Sequence, residues 1–117
     1  MSEPQISILT KRADFVRASN ARRQGTKGVH LQARKRREDD VSATPIRVGY
    51  TCSKKVGNAV ARNRAKRRLR AAAQEVLPKL GHPGWDYVLV GRHASTAARD
   101  WGDLIKDLEF AMKKVHG

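Results

Sequence analysis

Residues 53–70 carry the densest chemistry of the chain. Eight cations stand there (Lys54, Lys55, Arg62, Arg64, Lys66, Arg67, Arg68 and Arg70) with no acid among them, and the flanking acids are Asp40 and Glu75. Such a run repels itself unless an anion lies against it, and a polyphosphate backbone offers charge over a matching length. The alternative, a solvated helix face, normally mixes both signs. Lys54 and Lys55 precede the start of the segment and Arg62 and Arg64 lie in its first turns, where a helix already carries partial positive charge. That costs roughly 0.3–1 kcal/mol per charge and makes the N-terminus a seat for phosphate.

No self-sufficient catalyst accompanies these cations, so no catalytic residue and no metal ligand is assigned. Glu38, Asp39 and Asp40 sit in a polar stretch read as a solvated turn. His30, His82, His93 and His116 lack metal-ligand spacing. Cys52 falls at an inward strand position, which suits a small core residue better than a nucleophile. Ser53 and Ser95 have no nucleophile-elbow context, and no Walker-type glycine loop is present. Residues 41–74 contain no acid, whereas a metal-dependent nuclease needs convergent carboxylates. Groups able to meet unpaired bases are few. Phe15 lies beside the apolar stripe of a basic helix and fits core or cleft equally well. His30 and Gln32 alternate outward on a strand, where they line a groove or simply face solvent. Trp85 and Trp101 each begin a strongly apolar element and are expected in the core.

The elements that must hold these residues follow from periodicity. On a 3.6-residue period Ala61, Ala65, Leu69, Ala72 and Val76 fall within about 80° of one another, with the cations spread over the other side and Arg62 at the edge of the stripe. Asn58 is the expected N-cap and Pro78 the expected stop. Residues 29–34 and 46–52 alternate, each a half-buried strand. Residues 35–40 between them read as a solvated hairpin loop. Residues 85–90 are nearly continuous in apolar character, as in a central strand covered on both faces. A first helix is expected over about 11–22, capped by Thr10, and a last one from Trp101 with Leu104, Ile105, Leu108, Ala111, Met112 and Val115 inward. Asp100 is its expected N-cap, and Lys113 and Lys114 suit its end. Residues 1–8 are expected to fray and 9–115 to form one domain. The class is α+β, a two-layer sandwich of helices on a small mixed sheet.

Composition bounds the partners. The chain has 117 residues, a net charge of +14 and a pI near 10.9, which points to nucleic acid. Residues 1–74 hold 19 basic and 5 acidic side chains, and residues 75–117 hold 6 of each. The first two thirds therefore meet the polyanion and the last third completes the fold. A single cysteine excludes an internal disulfide. No apolar run approaches the roughly 20 residues of a membrane span, and no signal peptide pattern opens the chain, so a cytoplasmic location is expected.

With Arg62, Asn63 and Arg64 placed on the basic helix, the sequence resembles the protein subunit of bacterial ribonuclease P. The resemblance rests on Ser53-Lys54-Lys55-Val56-Gly57-Asn58-Ala59-Val60-Ala61-Arg62-Asn63-Arg64-Ala65-Lys66-Arg67 behind Arg47-Val48-Gly49-Tyr50. Residues 9–15 and 85–92 agree in order and spacing with the family's first helix and last strand. The resemblance implies an α-β-β-β-α-β-α sandwich with a left-handed crossover through the basic helix, against the general handedness rule. It implies an accessory protein beside a catalytic RNA. That RNA and its substrate hold Mg²⁺, and the complex hydrolyses precursor tRNA to release the 5′ leader. It places Lys54, Lys55, Arg62, Asn63, Arg64, Lys66, Arg67 and Arg70 against the RNAs, with Arg68 counted among the same RNA-binding cations. Phe15, His30 and Gln32 fall in a cleft for the leader. Two positions depart from the family: Ser19 and Gln32 stand where relatives often carry aromatics, so base stacking in the cleft should be weaker and more polar. Three other readings compete on the residues alone: a ribosomal protein or RNA chaperone, a protein-only nuclease, and a duplex-DNA reader. The last would want base-reading variety rather than a row of phosphate ligands.

Overall fold

The computed structural model describes residues 6–37, 45–92 and 94–117. In chain order the elements are β1 (Ile6–Ile8), α1 (Arg12–Ser19), β2 (Arg22–Gly25), β3 (Val29–Lys35) and β4 (Ile46–Thr51). A 3₁₀ turn (Lys54–Val56), α2 (Ala59–Leu80), β5 (Trp85–Gly91), α3 (Ser95–Ala98) and α4 (Trp101–His116) follow. The five strands form one mixed sheet in the order β1-β4-β5-β3-β2. β1 and β5 run parallel to β4, while β3 is antiparallel to both β5 and β2.

Alternation along the strands divides the sheet into two unlike faces. Val29, Leu31 and Ala33 of β3, Ile46 and Val48 of β4, and Tyr87 and Leu89 of β5 share one face. They pack on Leu69, Ala72, Ala73, Val76 and Leu77 of α2 and on Leu104, Leu108, Ala111, Met112 and Val115 of α4. Full burial of each Val, Leu, Ile or Met side chain among them contributes roughly 1.5–3 kcal/mol, so this layer dominates the fold. The second face carries only α1 and a small cluster of Leu9, Ala18 and Val88, with Phe15 and Val90 against it. β5 is central, as its apolar run predicts, but its α1 face is only partly covered.

Helix α2 begins as its sequence predicts: the Ala61 N–H donates to Asn58 Oδ1 at 2.9 Å. It does not stop at Pro78, which lies inside the last turn. The missing proline N–H forfeits one bond, to the exposed Gln74, and Gly81 N–H closes the helix on Leu77 O at 2.8 Å. In α4 the Asp103 N–H donates to Asp100 Oδ2 at 3.3 Å, and Lys113 and Lys114 lie in the last turn.

Other expectations fail for local reasons. α1 spans 12–19 rather than 11–22, and Thr10 does not cap it, because Leu9 N–H still bonds Val48 O along the sheet edge and Lys11 stays extended. Residues 6–8, expected to fray, form β1. Residues 22–25, expected partly as helix and partly as its break, form β2. Both are short edge strands, and neither alternates in a way that a periodic pattern would reveal. Lys35 belongs to β3, and β3 and β4 are not hairpin partners, since β5 lies between them; Glu38, Asp39 and Asp40 fall outside the described residues. Trp101 is 36% exposed rather than core, and Trp85 is half-buried at the margin.

Candidate nucleic-acid interface

Helix α2 starts at the end of the sheet where β4 and β5 finish. Gly57 turns the chain there with φ 141°, a backbone state open to glycine, and Asn58 then caps the helix. The first turn contains no acid. Ala65 faces Gly91, whose lack of a side chain leaves room for Cys52 and lets α2 sit close over the strand end.

The cations of α2 leave the helix in three directions. Asn63, Arg64 and Arg67 form an exposed crest. Arg62, Lys66 and Arg70 line the flank toward β4. Arg62 and Lys66 lie near enough to Cys52 to favour its thiolate, although burial outweighs them and pushes the thiol above its ordinary value. The Arg70 guanidinium stands 5.5 Å from the Tyr50 ring centre. Arg68 turns to the opposite flank, donating to Thr96 O at 2.8 Å and Ala97 O at 2.9 Å, with the Trp101 ring 5.7 Å away. Lys55 is exposed in the preceding turn, which also includes Lys54. Among the described residues, Arg62, Arg64, Lys66, Arg67 and Arg70 have no ion-pair partner.

The other face of the sheet holds a groove of about 490 Å³ between α1 and the strands. Strand register orders this face in rows. Arg34, Asp86 and Arg47 form the first, Gln32, Val88 and Gly49 the second, and His30, Val90 and Thr51 the third. Phe15, Val16 and Arg12 form the groove wall, with Gln32, Val88, Val90 and Thr51 beneath. Gly49 makes the Phe15 position possible: a Cβ there would come within 2.6 Å of the ring. Ser19 spends its hydroxyl on Val16 O at 2.7 Å, so the wall offers one aromatic ring and an aliphatic side chain. His30 sits in the third row, outside the groove lining, where burial and then the charges of Arg92 and Arg23 lower its pKa. Phe15 and Gln32 are thus brought together, with His30 beyond them. Arg12, Val16, Thr51, Val88 and Val90 were not legible as groove residues, because a strand pattern tells buried from exposed and not how far α1 extends over it.

The first row is closed by charge. Asp86, fully buried, accepts from Arg47 Nε at 2.8 Å and Nη2 at 2.6 Å and from Arg36 Nη1 at 2.6 Å. Arg47 also reaches Asp14 of α1 at 3.5 Å, and Arg17 donates to the same oxygen at 3.3 Å. The hydrogen bonds and charge of Asp86 raise the Arg47 pKa. This network fixes where α1 crosses the sheet and so where the groove opens. Groove and basic helix meet at the end of β4, where Thr51 lies in one and Cys52 lies against the other. Among the described residues, no group of three or more His, Cys, Asp or Glu is placed to hold a metal ion.

A half-covered sheet face with an aromatic wall, continuous with the acid-free first four turns of a basic helix, defines the class as a protein shaped to lie against nucleic acid. The chain belongs to the ribonuclease P family, whose family model matches residues 4–116. It is similar to the ribonuclease P protein component of Ruegeria pomeroyi, with 61% identity over 111 residues, covering 95% of this chain and 87% of the relative. The corresponding protein of Paramagnetospirillum magneticum is 47% identical over 112 residues, covering 95% and 84%. The fold matches the solved ribonuclease P protein of Thermotoga maritima with a TM-score of 0.74 at 21% identity, covering 93% of this chain and 97% of that one. The Staphylococcus aureus protein matches with a TM-score of 0.69 at 23% identity, covering 92% and 93%. No helix among the described residues is long and apolar enough to cross a membrane.

Proposed function

We propose that this chain is the accessory protein of an RNA-catalysed endonuclease that removes the 5′ leader of precursor tRNA. The observation that carries the reading is the unneutralised cation surface of α2 running into the groove at the end of β4. A catalytic RNA and its substrate repel each other, and cations at their junction lower that cost and the Mg²⁺ needed for assembly. Lys54, Lys55, Arg62, Asn63, Arg64, Lys66, Arg67 and Arg70 meet phosphates there. Phe15, with Gln32 and His30 beyond it, receives the single-stranded leader, mainly through one ring face and polar contacts. Mg²⁺ is held by the two RNAs. Hydrolysis of the phosphodiester, which leaves a 5′ phosphate on the tRNA, uses no acid or base from this chain. The work is done in the cytoplasm, where precursor tRNA is found.

The test is cleavage of a 5′-labelled precursor tRNA at low Mg²⁺ by the protein alone, by a bacterial ribonuclease P RNA alone, and by the two together. Cleavage at the mature 5′ end only in the mixture is the expected result. Cleavage by the protein alone would mean a protein nuclease. No gain from the protein, with the RNA active by itself at high Mg²⁺, would leave an RNA-binding domain with another partner.

A further inference from the structure

Trp101 is the one large apolar residue of the inward α4 pattern left outside the core: it is 36% exposed, while Leu104 and Leu108 are fully buried. It opens the helix after the Asp100 cap, and Gly102 beside it adds no side chain to shield the ring. Arg68, anchored on two α3 carbonyls, holds its guanidinium 5.7 Å from the ring centre. Arg64, one turn earlier on the same row of α2, is exposed. The result is a planar surface with one anchored cation against it and a second, exposed cation one helical turn away, on the helical layer and so across the sheet from the groove.

We infer that Trp101 with Arg68 is a stacking platform for an unpaired base of the RNA subunit, with Arg64 meeting the adjacent phosphate. A duplex keeps its base faces covered, so the occupant is a looped-out or bulged nucleotide. The inference rests on the accessory-subunit reading and adds a contact to the RNA that neither the groove nor the α2 crest supplies. Stacking of one base contributes on a scale that alanine substitution reports as roughly a tenfold or greater loss of affinity.

The two tryptophans allow a direct test. Trp85 packs against His82 and His116 at the other end of the molecule, so Trp85→Phe leaves Trp101 as the single indole. Titration of that variant with a transcribed ribonuclease P RNA, with binding followed independently by the anisotropy of labelled RNA, should quench the remaining emission as the complex saturates. Trp101→Ala should weaken RNA binding by roughly tenfold with its salt dependence unchanged, because a stack releases no counterion. Trp101→Phe should recover part of the loss, a rescue that also controls for folding. Saturation by anisotropy with unchanged Trp101 emission overturns the platform and leaves the accessory-subunit reading intact. Absence of RNA binding by the protein overturns both.

Discussion

Arg36 and Arg47 lie against a fully buried carboxylate, whereas Arg64 and Arg67 face solvent without an acid partner among the described residues. The two sites use the same side chain in opposite ways. Around Asp86, geometry matters: Arg47 grips both oxygens with two nitrogens, and Arg36 adds the carbonyls of Trp85 and Pro45 at 3.1 and 2.9 Å. Those bonds offset the desolvation of the charges, and the further reach of Arg47 to Asp14 ties α1 to the sheet. On the α2 crest no acid among the described residues offsets the charge. The uncompensated charge costs the helix some stability, and in the proposed function phosphate is what neutralises it. One region uses arginine to fix the groove; the other leaves it exposed for the proposed RNA contact.

The largest expected effect is at the buried site. Asp86→Asn removes the carboxylate shared by Arg34, Arg36 and Arg47 in a dry environment and should cost about 3–5 kcal/mol, read from the urea midpoint. A loss under about 1 kcal/mol would mean that water reaches the cluster, and the contrast between the regions would collapse.

Arg64→Gln with Arg67→Gln should leave stability within about 0.5 kcal/mol of the parent. RNA affinity should fall, with the log–log salt slope shallower by roughly 1.4–1.8, a figure of about 0.7–0.9 per lost phosphate contact. Cleavage by the assembled complex should suffer most at low Mg²⁺ and recover partly as Mg²⁺ is raised. Equal loss at every Mg²⁺ concentration would argue against charge neutralisation as the role of the crest.

Lysine substitutions sharpen the distinction between geometry and charge. Arg47→Lys loses the two-nitrogen grip and should cost about 1–3 kcal/mol of stability. Arg64→Lys keeps the charge and should change RNA affinity by no more than about threefold if the crest acts through point charges.

A further test adds a cation instead of removing one. His116 stacks on His82 at 3.5 Å, and its Nε2 lies 2.6 Å from Tyr87 Oη, which accepts from the His82 N–H. Burial, then the charges of His82 and Arg22, lower its pKa from 6.5 to about 4. Between those values the unfolded chain binds the extra proton, so stability falls as pH drops from 6.5 toward 4 and this contribution then levels off. Thermal midpoints across that window should fall less steeply for His116→Gln than for the parent, the difference between the two curves isolating this group from the carboxylates.

Much of this architecture was legible because it is periodic. Alternation at 29–34 and 46–52 marks two strands and the face each buries, and the 3–4 spacing after Asp100 marks α4. The Asn58 and Asp100 caps follow from one residue each. Phe15 and Gln32 were legible as groove candidates, yet their meeting depends on Gly49, whose missing side chain signals nothing until α1 lies above it. Arg36 shows the limit most plainly. In a run of Lys, Arg and acids it reads as solvated, and instead its side chain is nearly buried against Asp86, 50 residues away.

The amino-acid sequence by itself determined the character of the partner and the elements that meet it. Charge and period are properties of near neighbours, and both are strong in residues 53–70. Only the tertiary structure decided that β5 lies between β3 and β4, that β1 and β2 extend the sheet, and that Arg68 leaves the cation rows for α3 while Trp101 stays exposed beside it. Each of these depends on backbone groups or side chains far apart in the chain finding one another, and pairing of that kind leaves no periodic trace.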